Sequence, residues 1–116
     1  MMVPGSVLLK HINALEGAAT KIANLQRPGA AALTNFEASG IGVTLGEAAS
    51  VIKELGVTQA HTGVAIANDA QKFFASADDL VKGSTTFKPG NLDSVVSHVE
   101  DGISALRGRL RYTPVD

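Results

Sequence analysis

The histidines His11, His61 and His98 are the side chains best suited to chemistry in this 116-residue chain, which has no cysteine. An imidazole can move a proton, ligate a metal or hold a haem iron. Metal chemistry needs partners at set spacings. A di-iron bundle needs Glu-x-x-His pairs, and a zinc protease needs His-Glu-x-x-His. Neither pattern occurs here. Two histidines facing each other inside a bundle can hold haem, so a small-ligand or haem-binding bundle stands as one alternative. Each histidine falls beside an apolar stripe rather than on it. The expectation is therefore surface or flank positions, with no metal and no cofactor.

Other chemistry is no better supplied. The serines and threonines fall where helix caps and loops use them. Asp78 and Asp79 are neighbours on a helix face, within one turn of Lys82. No nucleophile–base set emerges, and the chain reads as non-enzymatic. Gly40-Ile41-Gly42-x-x-x-Gly46 has the outline of a nucleotide-binding loop, but such a loop follows a buried strand. The preceding segment, Ala30 to Phe36, reads as helix. The lack of cysteine excludes disulfides and thiolate metal sites. A net charge of −1 argues against nucleic acid and anionic membranes as partners. No run approaches the roughly 20 apolar residues of a membrane span. Met1 to Gly5 lacks the basic and apolar regions of a signal peptide. The expected location is cytoplasmic, or outside by a route that reads no N-terminal signal.

The elements that would position these residues follow from apolar spacing. Ser6 is a good N-cap, and Leu8, Ile12, Leu15, Ala19 and Ile22 form one stripe, which predicts a helix over Val7 to Gln26. Arg27-Pro28-Gly29 stops it. Residues 30–39 suggest a short helix broken by Ser39-Gly40-Ile41-Gly42. Ile41, Val43 and Leu45 also alternate as a strand would. Thr44-Leu45-Gly46-Glu47 reads as a capping box for a helix over Leu45 to Leu55, with Gly56 as its left-handed terminator. A third helix is capped by Thr58 or Thr62. It carries Ile66, Ala70, Phe73, Ala77 and Leu80, widened by Phe74 and Val81, and ends at Gly83. After a loop over Ser84 to Gly90, Asn91 caps a fourth helix with Leu92, Val96, Val99, Ile103, Leu106 and Leu110. Pro114 ends that helix at or before Thr113. The predicted fold is all-α: an antiparallel bundle of about four main helices, in one domain over residues 1–116. Its predicted core is Leu15, Ile22, Ile52, Ile66, Phe73, Leu80, Val99, Ile103 and Leu106.

Residues 44–67 resemble a helix-turn-helix through Glu47-Ala48-Ala49, Leu55-Gly56-Val57-Thr58-Gln59 and Val64. That resemblance implies a DNA-binding regulator as a second alternative, yet Lys72 is the one base near the recognition segment. Arg107, Arg109 and Arg111 suit the negative end of the last helix. The chain closes on Tyr112-Thr113-Pro114-Val115-Asp116. This Tyr-x-x-x-Asp resembles the export signal of the small helical WXG-type substrates of type VII secretion, although no Trp-x-Gly turn is present. The resemblance implies export and pairing with a protein partner, with Tyr112 and Asp116 read by a receptor.

Gly17, Gly63, Gly102 and Gly108 lie inside the predicted helices. An exposed mid-helix glycine costs about 1 kcal/mol relative to alanine, so some of these positions are expected to admit another helix. Gly102 is the candidate for a close approach, within the bundle or against a partner. The functional expectation is a structural or protein-interaction bundle, acting with a protein partner or by self-association. Gly102, Tyr112 and Asp116 are its candidate interaction residues.

Overall fold

The computed structural model describes residues 4–25, 27, 33–56, 60–81 and 92–112, with backbone alone for residues 35 and 76–81. These residues form four helices and no strand: α1 (Gly5–Leu25), α2 (Asn35–Glu54), α3 (Ala60–Val81) and α4 (Asp93–Leu110). The backbone carbonyl of Pro4 accepts from Val7 and Leu8, both at 3.1 Å. The ladder of α1 therefore starts before Ser6, which lies exposed in the first turn and is not the cap.

Helix α2 departs most from expectation. It runs unbroken through Ser39-Gly40-Ile41-Gly42 and through Thr44, so neither the strand nor the capping box at Thr44 exists. The cap is one motif upstream. Thr34 Oγ1 accepts from the Glu37 amide at 3.1 Å and donates to Glu37 Oε1 at 2.9 Å. Burial decides the outcome. Gly40, Gly42 and Gly46 cost the helix about 1 kcal/mol each. Ala38, Ile41, Leu45, Ala48 and Ile52 all lie buried on one face. A buried Ile or Leu contributes about 1.5–3 kcal/mol, so Ile41 and Leu45 alone offset the glycines. Gly56 takes φ 134° just past the helix end, where a Cβ would be strained. Thr62 lies within α3 rather than at its cap. Thr58, Asn91, the loop from Ser84 to Gly90 and Pro114 lie outside the described residues, as do the side chains of Ala77, Leu80 and Val81. Leu92 occupies the N-cap position of α4 without a side-chain bond.

Contacts fix the topology. Along α2 and α3, Gly63 lies against Ala49 and Lys53 while Gly42 lies against Phe74, so the two helices are antiparallel. Their packing is the most extensive in the molecule. Over residues 44–54 and 60–67, α2 and α3 thus lie side by side rather than crossing as the helices of a helix-turn-helix do. On α3 and α4, Asp69 meets His98 and Ile66 meets Gly102, again antiparallel. Helix α1 packs beside both α2 and α4, which closes an up-down-up-down bundle of 46 × 22 × 22 Å.

Leu8, Leu15 and Ile22 of α1, Leu45 and Ile52 of α2, Ile66 and Phe73 of α3, and Val99, Ile103 and Leu106 of α4 share the core. Phe73 is its one aromatic among the described residues. Val96 and Leu110 sit at the margin, and Val95 and Gly102 are buried with the stripe of α4. The glycines divide in two. A Cβ on Gly63 would lie 2.7 Å from Lys53 Cγ and 3.1 Å from the Ala49 carbonyl, so glycine lets these backbones meet. A Cβ on Gly17, Gly46 or Gly108 would meet nothing within 4 Å. Gly17→Ala, Gly46→Ala and Gly108→Ala should therefore each stabilise the bundle, by up to about 1 kcal/mol. Thermal melts check this, and a loss of stability in any of them would show an unrecognised contact there.

Candidate functional site

Asp69 lies on the apolar stripe of α3, between Ile66 and Phe73, and its side chain is only 2% exposed. A carboxylate cannot be buried there without partners. Two are present. His98 Nδ1 of α4 lies 2.6 Å from Asp69 Oδ2, and Lys72 Nζ lies 3.4 Å from Asp69 Oδ1. An ionised carboxylate only accepts, so the imidazole donates from Nδ1 and turns its Nε2 away from Asp69. The His98 side chain remains 35% exposed. The arrangement joins α3 to α4 and holds one imidazole in one tautomer. Among the described residues, no three His, Asp, Glu or Cys side chains are grouped to hold a metal ion.

The three histidines have different fates. His61 is exposed on α3, as expected. His98 is half-buried in the pair with Asp69. His11 is buried against the core, which corrects its expected flank position. It falls one place from Ile12, so the widened face of α1 takes it inside. Desolvation lowers the His11 pKa from 6.5, assisted by Lys10 and opposed by Glu47 of α2. With its folded value below the unfolded one, the native state prefers neutral His11. Its contribution to stability is present in full above pH ~6.5. It is lost as pH falls from there through the folded value. Melts of the wild type and His11→Gln across this range should show the wild type losing more stability on acidification. Parallel curves would contradict the assignment.

Gly102 is buried at mid-bundle. A Cβ there would lie 2.7 Å from Ile66 Cδ1, 3.2 Å from Ile52 Cδ1 and 3.5 Å from Leu15 Cδ1. Its close approach is thus to three helices of its own chain. Tyr112 lies in the turn after α4, 86% exposed. Asp116 lies outside the described residues. Arg107 pairs with Glu16 of α1, a use the sequence did not suggest.

Two surface features were not foreseen. Phe36, Val43, Val64 and Phe74 are all exposed on the α2–α3 hairpin, Phe36 by 87%. The Phe74 ring sits over Gly42, where a Cβ would come within 3.0 Å of it. Between α1 and α2 runs a groove of about 240 Å³ lined by Ala14, Gly17, Lys21, Gly40, Ile41 and Thr44. Comparison with known proteins finds no matching family model, no matching curated protein and no matching solved structure. Among the described residues no helix is long and apolar enough to cross a membrane.

Proposed function

We propose that this chain is a non-enzymatic protein-interaction bundle that works through the outer face of its α2–α3 hairpin. The exposure of Phe36, Val43, Val64 and Phe74 on that hairpin carries the reading. Single exposed apolar residues are ordinary, whereas several on one pair of packed helices mark a contact surface. From Ala38 to Gly46 helix α2 has no charged residue, so little on that stretch resists desolvation. The partner is a protein, either a second copy or another chain. Light scattering should show an assembly that Phe36→Asp with Val43→Asp dissociates while helicity is kept. A wild-type chain that stays monomeric, and whose cross-linked partners in its host survive both substitutions, would overturn the reading.

Tyr112 favours a second reading, export through the terminal Tyr-x-x-x-Asp. A ring so exposed has little structural work to do. Tyr112→Ala should change stability by less than about 0.5 kcal/mol. Under the export reading it abolishes secretion from the native host. An unchanged extracellular level after Tyr112→Ala and Asp116→Ala would eliminate that reading.

A further inference from the structure

We propose that His98 is a phosphoryl-acceptor site, its Nε2 made nucleophilic by the buried carboxylate of Asp69. The pair is assembled from two packed helices, α3 and α4, which fix the imidazole beside the carboxylate. Asp69 is 2% exposed and His98 35%, so the carboxylate lies inside while the imidazole reaches solvent. In the neutral ring that donates from Nδ1 across the 2.6 Å contact, the Nε2 lone pair is open and directed away from Asp69.

The surroundings select among the reactions open to such an imidazole. A hydrolytic triad needs a hydroxyl bonded to Nε2. Ser94, one turn before His98, shows no such bond. A metal site needs further ligands, and none are grouped here among the described residues. Among the described residues, what remains is an oriented nucleophile that takes up a group and gives it back. Lys72 points to the kind of group. Its ammonium shares Asp69 with His98, and its side chain is 56% exposed, so it can swing to an anion bound on the ring.

The step balances without another protein group. With a phosphoramidate donor, Nε2 attacks phosphorus and an N–P bond forms. The donor's P–N bond breaks and its electron pair leaves with ammonia, the donor nitrogen being already protonated. The Nδ1 proton stays on the ring, and the imidazolium so formed is stabilised by the Asp69 carboxylate.

The test uses the full chain and potassium phosphoramidate, with site-resolved mass spectrometry and phosphorus NMR. The expected result is one acid-labile phosphoryl group on His98, gained about tenfold or more faster than on the exposed His61. Asp69→Asn should remove most of that advantage, and His98→Ala all of the rapid label. Because a buried Asp69 variant can unfold, the His98-to-His61 ratio in the wild-type protein decides by itself. Labelling of His61 at the same rate as His98, or no label on His98, would overturn the proposal.

Discussion

Phe73→Ala is expected to destabilise the bundle by about 3–5 kcal/mol. The ring is fully buried and is the one core aromatic among the described residues. The other described residues of the core cluster are aliphatic, and several are alanines. Ala70, one turn before it on α3, has no side-chain length with which to collapse into the space it leaves. The loss is therefore transfer free energy plus a cavity that persists. A domain of this size has about 5–15 kcal/mol of stability in all, so the variant sits near the edge of folding. Phe74→Ala, one residue on and partly exposed over Gly42, should cost much less. Urea titrations of the two variants check the contrast. Equal losses would mean that the assigned faces of α3 are wrong.

Gly102→Leu should cost about 1–3 kcal/mol or more by overpacking the centre of the bundle. The first atom added already meets Ile66 Cδ1 at 2.7 Å, and Ile52 and Leu15 close two further directions. All three neighbours are fully buried, so none can move aside into solvent. Gly102→Ala is the finer probe. Its methyl forces Ile66 to shift, while the better helix propensity of alanine returns up to about 1 kcal/mol. The net effect should be neutral or destabilising, in contrast to the gain expected at Gly17. Thermal melts of the matched pair distinguish a packed glycine from an idle one. A gain at Gly102 equal to that at Gly17 would show that the core around it is loose.

The all-helical fold was legible in the sequence because its signals are local. The stripes of α1 and α4 repeat at helical spacing over whole helices, and Gly56 stands where a left-handed residue must follow a helix end. Eight of the nine expected core residues are buried, and the ninth, Leu80, lies outside the described side chains. Helix α2 was misread because its evidence conflicts. Thr44 to Glu47 has the composition of a capping box, and three glycines within seven residues look like a break. The stripe of Ala38, Ile41, Leu45, Ala48 and Ile52 says otherwise, and only its burial against α3 and α1 shows which wins.

The candidate sites were less legible. Asp69 was not singled out from the sequence, although its place between Ile66 and Phe73 on an apolar stripe is the signal that could have found it. That its partner is His98, 29 residues away, could not be read at all, because the pairing depends on the register of α4 against α3. The same holds for Gly102. Its position inside a helix is local information. What fills the space above it depends on three other helices that sequence spacing cannot orient. Sequence by itself determined the main apolar stripes of α1 and α4, because helical periodicity acts within a few residues. Tertiary structure alone decided which inward residues meet, because that is set by how helix faces interlock across the core.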